Sequence, residues 1–211
     1  MENRLNVCDT VEPEIQFEKK DNRKFISYFK SKSEKEVWDK FRGGSKQAFI
    51  FIYQEYFQIL FNYVFQFTKD RAQIKDRLQE LFFDIYKKRD SPNSTDSIKF
   101  YLYRSLRRRI SKSLQSKITS IFSNGQEQKY EFKVDISVEN ILIKEEDDLL
   151  WKTKLERGMN RLPSRQKEAL YYYFYENFSY KEIATIMGTG KVKSARTLIY
   201  RGIDSLKMIQ N

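Results

Sequence analysis

The chain has 211 residues, no histidine and a single cysteine, Cys8. These absences exclude a Ser-His or Cys-His nucleophile pair, a zinc site built from Cys and His, and an intrachain disulfide. Only carboxylate, lysine or tyrosine side chains remain for catalysis. The sequence therefore predicts no resident metal and no cofactor, and it predicts an inert Cys8 in a polar end segment.

Glycine and proline are also scarce, with seven and three residues. Together they make about 5% of the chain against an average near 12%, and sandwich or barrel folds need these residues at every turn. No stretch approaches 18 uncharged apolar residues, and the first residues lack the basic end and apolar run of a secretory signal. We predict an all-α chain without membrane insertion, located in the cytoplasm.

Positive charge is in excess. The chain carries 40 Lys and Arg against 29 Asp and Glu, which gives a net charge of +11 and an isoelectric point near 9.5. A strongly basic balance suits a polyanionic partner better than an acidic small molecule. Charge alone does not assign a function.

Helical periodicity falls in two blocks, which predicts two small helical domains. The first block holds three helices, from Ala48 to Phe67, from Asp70 to Tyr86 and from Ile98 to Leu114. Residues 1 to about 34 show no sustained period, and we interpret them as a loosely ordered extension with room for one short helix. From Ser116 to Asp148 the pattern disappears, which indicates a linker.

The last 60 residues are periodic again and contain a helix-turn-helix pattern. Pro163 opens a helix that continues to Phe174. Ser179 to Glu182 form a capping box, which starts a short helix that Gly188 ends. A basic helix, roughly Val192 to Met208, follows within a few residues, as in helix-turn-helix proteins.

One face of the helix from Asp70 to Tyr86 carries polar residues around an aromatic ring. Asp76, Gln79, Glu80 and Phe83 stand at i, i+3, i+4 and i+7, so they share one ridge opposite the apolar stripe. An ordinary solvated face would explain the three polar residues. The exposed Phe83 favours a surface for another protein instead.

The helix from Ile98 to Leu114 carries the basic signal. Between Ser97 and Ser120 the chain has seven Lys or Arg and no acid. With Leu102, Leu106 and Ile110 facing inward, a second set points outward together: Tyr101, Arg104, Arg108 and Lys112. A basic ridge with an aromatic ring suits phosphate contacts and base stacking, and we prefer this to a merely solvated face.

The last helix offers hydrogen-bond donors for phosphates and base edges: Lys191, Lys193, Arg196, Thr197 and Arg201. A plain antiparallel helix pair is the alternative. The capping box, the spacing from Ala184 to Gly188 and the basic helix directly after the turn favour DNA binding.

Two enzyme interpretations of the sequence have less support than DNA or protein binding. Asp76, Glu80 and Asp84 stand at i, i+4 and i+8 and could hold magnesium in a nuclease, but no partner cluster or nucleophile accompanies them. The stretch from Gly188 to Lys191 lacks the glycine spacing of a phosphate-binding loop, and Val192 stands where that loop needs Ser or Thr.

Residues 76–86, Asp-Arg-Leu-Gln-Glu-Leu-Phe-Phe-Asp-Ile-Tyr, closely resemble the polymerase-binding helix of sigma-70-type initiation factors. The pattern Asp-x-x-Gln-Glu-x-Phe followed by an aromatic residue is that of the extracytoplasmic-function (ECF) group. The family's other segments are also present in the right order. Upstream of residues 76–86 there is a helix with Ala48, Phe49, Tyr53 and Tyr56. Downstream are Tyr101-Leu102-Tyr103-Arg104, Leu162-Pro163-x-Arg165-Gln166 and Ser179-Tyr180-x-Glu182-Ile183-Ala184. The resemblance covers residues 37–207 apart from the linker.

This resemblance implies sigma domain two at 35–116, a linker at 117–147 and sigma domain four at 148–211, after the extension 1–34. It implies a transcription initiation factor, not an enzyme, that directs core RNA polymerase to specific promoters. The implied partners are the clamp of the polymerase largest subunit, the polymerase flap, promoter DNA and an anti-sigma factor. A stand-alone helix-turn-helix regulator that binds duplex DNA as a dimer is the alternative.

The resemblance also assigns three sets of residues. The polymerase-binding set is Asp76, Gln79, Glu80 and Phe83. The set at the melted minus-10 element is Asn93, Ser94, Tyr101, Arg104, Arg107, Arg108 and Lys112. The recognition helix for the minus-35 element supplies Lys191, Lys193, Ser194, Arg196, Thr197 and Arg201.

Overall fold

A computed structural model of the chain describes residues 19–90, 95–119, 131–135 and 146–210. Regular secondary structure within these ranges is helical throughout, so the predicted all-α fold is confirmed. The helices are α1 Lys19–Lys30, α2 Glu34–Arg42, α3 Lys46–Phe65, α4 Arg71–Lys87, α5 Ile98–Thr119, α6 Glu146–Arg161, α7 Ser164–Phe174, α8 Tyr180–Ile186 and α9 Val192–Gln210. None of these helices is long and apolar enough to cross a membrane.

The described residues divide into two compact units. The first unit contains residues 19–55, 86–90 and 95–98, and the second contains 56–85, 99–119, 131–135 and 146–210. The core of the first unit includes Phe29, Trp38 and Phe41, of which Trp38 and Phe41 pack with ring centres 5.2 Å apart. Its helix α2 is not among the helices predicted from periodicity.

Helix α2 begins with a capping box. The Ser33 side chain accepts a hydrogen bond from the Glu36 backbone, and the Glu36 carboxylate accepts one from the Ser33 backbone. These bonds lower the pKa of Glu36 to about 2. The box satisfies two amide groups that a helix start otherwise leaves without partners, so a nine-residue helix begins sharply here.

The second unit contains the two apolar stripes expected from the sequence. On α4 the buried residues are Ile74, Leu78, Leu81, Phe82 and Ile85, which form the apolar stripe expected opposite the ridge of Asp76, Gln79, Glu80 and Phe83. On α5 the seam of Leu102, Leu106 and Ile110 is buried too. These stripes fix which faces of α4 and α5 remain exposed.

The helix-turn-helix predicted from residues 179–208 is present. Ser179 and Glu182 form the expected capping box of α8, and Gly188 follows the C-cap with a φ of 62°. Helix α9 packs against α7 and α8, and at Gly202 it lies so close to α7 that a Cβ would be 2.8 Å from Leu170 Cδ1. Leu155 of α6 is 40% exposed and does not belong to this core.

Residues 131–135, inside the predicted linker, cross the second unit as an ordered segment. Backbone amides of Lys133 and Asp135 donate to the carbonyl and side-chain oxygens of Gln66 at 2.8 and 2.7 Å. On the other side Val134 exchanges two hydrogen bonds with the Asn160 side chain, and Phe132 is fully buried. Periodicity could not reveal this segment because five residues outside any helix carry no helical repeat.

Candidate protein and nucleic-acid interfaces

The ridge predicted on α4 is exposed. Asp70 caps the helix, since its carboxylate accepts a hydrogen bond from the Gln73 amide at 3.1 Å. Burial of the opposite stripe then turns four side chains outward: Asp76, Gln79, Glu80 and Phe83. The Phe83 ring is 45% exposed, which costs solvation free energy unless another surface covers it.

A groove runs beside this ridge between α4 and α5. Asp76 and Glu80 line the α4 side of the groove, whereas Arg109 and Lys112 line the α5 side. An ion pair between Asp84 and Arg109 joins the two helices next to it. The groove therefore brings the acidic and the basic candidate surfaces to adjacent helix faces.

The outward face of α5 is basic, as the sequence predicts. Arg104, Arg108 and Lys112 are exposed and Tyr101 is partly exposed, on the side opposite the buried seam. Asn93 and Ser94, which the resemblance adds to the minus-10 set, lie outside the described residues. The exposed cations and the ring can contact phosphates and stack on a base.

Arg107 differs from its neighbours because its side chain faces inward. It is 9% exposed and forms a bidentate ion pair with Glu168 of α7, with Nε to Oε1 at 2.5 Å and Nη2 to Oε2 at 3.2 Å. Its third nitrogen donates to the Ser111 hydroxyl. In this arrangement the guanidinium is not available to DNA.

Two tyrosines complete the surroundings of the Glu168 carboxylate. The hydroxyls of Tyr63 from α3 and Tyr172 from α7 lie 3.1 and 2.9 Å from Oε1 and 2.5 Å from each other. Burial raises the pKa of both phenols well above 10, and the Glu168 charge adds to it. Burial disfavours a charged Arg107, but Glu168 outweighs this and raises the pKa of the guanidinium.

Sequence reasoning missed this buried cluster. Glu168 stands directly before the run Ala169 to Tyr172, all of which is buried. A lone acid at the edge of such a run needs a cationic or hydroxyl partner, because an unpaired buried carboxylate is very costly. That requirement was the available signal, but nothing in the sequence pointed to Arg107 as the partner.

The start of α9 presents a basic face. Lys191, Lys193, Arg196 and Arg201 are exposed, and Ser194 and Thr197 are partly exposed. The Thr197 hydroxyl donates to the Lys193 carbonyl at 2.9 Å, so within the helix it retains only acceptor capacity. Ala195 and Ile199 face the core and fix the rotation of the helix.

A row of tyrosines flanks Arg196. Its guanidinium lies 5.3 Å from the centre of the Tyr200 ring, and a hydrogen bond from Arg196 lowers the pKa of Tyr200. The hydrogen bond to Tyr173 raises the pKa of Tyr180 to about 12, and these two rings stack with centres 5.1 Å apart. Arg196 is therefore held by an aromatic neighbour one helical turn away.

The carboxylates of α4 show no metal-site geometry. Asp84, the third acid of the magnesium alternative, pairs with Arg109. Among the residues described here, no group of three or more acids or cysteines is arranged to hold a metal ion.

Comparison with known proteins identifies both parts of the chain. Residues 52–117 match the family model Sigma-70 region 2, and residues 152–206 match Sigma-70, region 4. The fold is similar to that in the structure of CnrH in complex with the cytosolic domain of CnrY, with 13% sequence identity and a TM-score of 0.55. That similarity covers 85% of this chain and 97% of the matched chain in that structure. No curated protein matched the sequence.

The two matched regions cover more than half of the chain in the order found in sigma factors. The chain belongs to the sigma-70 family of transcription initiation factors, which are not enzymes. Region 2 followed by region 4 is the domain organisation of the ECF group, so the resemblance found in the sequence is confirmed.

Proposed function

We propose that the chain, as an ECF-type sigma factor, binds core RNA polymerase through the ridge of Asp76, Gln79, Glu80 and Phe83. The exposure of Phe83 among acceptors carries the proposal, because exposed aromatic residues bordered by polar groups are typical of protein interfaces. The clamp of the largest polymerase subunit is the proposed partner of this ridge. The flap is the proposed partner of domain four.

The two basic faces are the proposed promoter contacts. At the minus-10 element the proposed contacts are Asn93, Ser94, Tyr101, Arg104, Arg107, Arg108 and Lys112. At the minus-35 element they are Lys191, Lys193, Ser194, Arg196, Thr197 and Arg201. Their exposed members support this assignment, since phosphate and base-edge recognition both need solvent-accessible donors.

A second protein is the proposed regulator. CnrH, whose fold is similar, was solved with the cytosolic domain of CnrY. By analogy we expect an anti-sigma factor to bind this chain and to keep it from polymerase. The proposed location is the cytoplasm, where polymerase and promoters are found.

Reconstitution tests the proposal. The purified chain is mixed with core polymerase and fragmented genomic DNA, and bound fragments are recovered and probed for unpaired bases with permanganate. We expect a complex of core with the chain, selection of a common promoter sequence and melting near minus-10. Failure of the chain to bind core would refute the proposal.

The stand-alone regulator predicts a different result in the same experiment. Such a protein binds duplex DNA as a dimer without core polymerase, and its DNA remains paired. The exposed ridge around Phe83 favours the sigma factor, because a regulator of that kind does not need it.

A further inference from the structure

We propose that the pair of Arg107 and Glu168 is an internal lock in which the Glu168 carboxylate takes the place of a DNA phosphate on Arg107. The lock rests on the proposed promoter function. When the lock is closed, α5 and α7 are held together; when it opens, Arg107 joins the basic face that contacts the minus-10 strand.

The lock joins the two sigma regions directly. Arg107 and Tyr63 belong to the match with region 2, whereas Glu168 and Tyr172 belong to the match with region 4. All four side chains are buried and bonded around one carboxylate oxygen. Because these bonds connect the two regions directly, the four side chains become exposed to solvent only when the regions separate.

A second ion pair joins the same regions. Lys99 of α5 lies 2.9 Å from the Glu176 carboxylate, which is almost buried, and it also donates to the Glu176 carbonyl at 2.9 Å. The Lys99 nitrogen lies 5.4 Å from the ring centre of Phe178, and this ring also packs on Tyr103. Two cations of the basic helix are thus engaged by acids of domain four.

The promoter-bound state cannot keep these bonds. The two promoter elements lie about 25 base pairs apart, which at about 3.4 Å per base pair is about 85 Å. In the closed chain α5 is bonded to α7, and α7 packs directly on α9. The axes of packed helices lie about 10 Å apart, so α5, the proposed minus-10 helix, and α9, the proposed minus-35 helix, lie within about 20 Å of each other.

The geometry of the pair suits an exchange of partners. Arg107 grips Glu168 with two parallel nitrogen–oxygen contacts, which is the fork that guanidinium groups also use for phosphate. Buried ion pairs add little net stability because both charges lose their hydration, so exchanging the carboxylate for a phosphate gives up little. A phosphate can therefore replace the carboxylate without leaving an isolated charge on Arg107.

The test compares three single variants of the full chain. Glu168→Gln removes the carboxylate but leaves Arg107 for DNA, whereas Arg107→Gln removes the lock and the phosphate contact together. Glu156→Gln is the matched control, because it removes the same charge from α6 without touching the cluster. Dyes on Lys75→Cys and Lys181→Cys, in a Cys8→Ser background, report the separation of the two regions by energy transfer.

Opening and affinity should change together. The apparent affinity for DNA is the intrinsic affinity multiplied by the open fraction. We expect Glu168→Gln to raise the low-transfer population of the free chain and to tighten binding of a fluorescent random single-stranded oligonucleotide by the same factor, between about 5-fold and 150-fold. The control should change neither quantity.

Arg107→Gln separates the two roles of the arginine. It should open the free chain as Glu168→Gln does, but the salt dependence of oligonucleotide binding should decrease by about 0.7 in slope because one phosphate contact is lost. Glu168→Gln should not decrease that slope. An unchanged slope in Arg107→Gln would refute the exchange of Glu168 for phosphate.

Folding and function are checked separately. If Glu168→Gln loses its helical circular dichroism, Tyr172→Phe removes one hydroxyl from the cluster and should shift the population in the same direction by less. High energy transfer that persists in a promoter-bound holoenzyme would refute the lock while leaving the sigma function intact. Failure of the parent holoenzyme to bind any promoter fragment would refute the proposed function, and the lock with it.

Discussion

Phe83 and Glu80 give the most direct test of the proposed polymerase-binding ridge. Replacing both with Ala removes an aromatic anchor and a carboxylate from the centre of the ridge. Truncation of interface anchors typically costs about 2 kcal/mol or more each, so we expect core binding to weaken by a few kcal/mol in total. The measurement is a titration of labelled core polymerase with the variant.

Arg71→Ala is the matched control for that experiment. Arg71 is an exposed residue of the same helix and lies about 120° around from Phe83 and about 180° around from Glu80, so its loss should leave core affinity nearly unchanged. Circular dichroism checks that both variants remain folded. Equal affinity of the double variant and the parent would refute the ridge as the polymerase interface.

The proposed minus-35 contact of Arg196 would form before the duplex opens. A bidentate contact between a side chain and a base in the major groove is worth about 1 to 3 kcal/mol. Holoenzyme with Arg196→Ala should therefore bind closed duplex promoter more weakly but keep its activity on pre-melted templates. Equal losses on both templates would indicate a structural role for Arg196.

Tyr200 extends the prediction for Arg196. The ring holds the guanidinium by a cation–π contact, and the hydroxyl shares a hydrogen bond with it. Tyr200→Phe keeps the ring, so it should retain most of the duplex binding that Tyr200→Ala loses. Competition between promoter fragments that differ at single minus-35 base pairs measures whether the loss is in specificity.

At the scale of one helix, we expect variants on the two faces of α5 to have different effects, on stability for the buried face and on DNA binding for the exposed face. Leu106 is fully buried in the seam, and its replacement by Ala should cost roughly 2 to 5 kcal/mol of unfolding free energy. Arg104→Ala and Arg108→Ala remove exposed side chains from the opposite face and should leave the core intact. Urea unfolding of the three variants distinguishes the two classes.

The same arginine variants should change the binding of fork-junction DNA by the holoenzyme. Each lost phosphate contact should lower the salt slope by about 0.7, whereas Tyr101→Ala should cost about 1 to 3 kcal/mol without a change in slope if a base stacks on the ring. Identical slopes and affinities for the parent and all three variants would remove α5 from the proposed melting surface.

The helices show what a sequence can reveal about this chain. The stripes of α4 and α5 and the capping box of α8 were predictable, because helical spacing and Ser-x-x-Glu are local signals. The capping box from Ser33 to Glu36 is an equally local signal that was overlooked. The inward turn of Arg107 was not predictable, since it depends on an acid 61 residues further along the chain.

At the scale of the whole molecule, the sequence predicted two helical regions and a linker but not the bonds that join the regions. Gln66 and Asn160 hold residues 131–135 between them, and Arg107 meets Glu168 inside the same unit. Such pairings join distant segments of the chain, and single-sequence patterns do not encode them. In this structure they hold residues of region 2 and region 4 together within the second unit.

The tyrosine cluster makes this closed state measurable at high pH. Burial raises the pKa values of Tyr63, Tyr103, Tyr171 and Tyr172 well above 10 in the folded chain. Below pH 10 both folded and unfolded chains keep these four protons, so the stability is fully present. Above pH 10 the unfolded chain loses protons that the folded chain retains, and stability should fall by about 5 kcal/mol per pH unit for the four groups.

The expected result is a cooperative alkaline transition. The ultraviolet absorbance of tyrosinate from the four buried phenols should rise together with the loss of helical circular dichroism. A Tyr63→Phe, Tyr172→Phe double variant removes two of the four groups and should halve the slope of stability against pH. Tyr28→Phe, which replaces an exposed phenol, should leave the slope unchanged. Ionisation of every tyrosine near pH 10 with the helices intact would mean that water reaches the cluster in the folded chain, and the closed arrangement of Arg107 and Glu168 would then not be the state of the free protein.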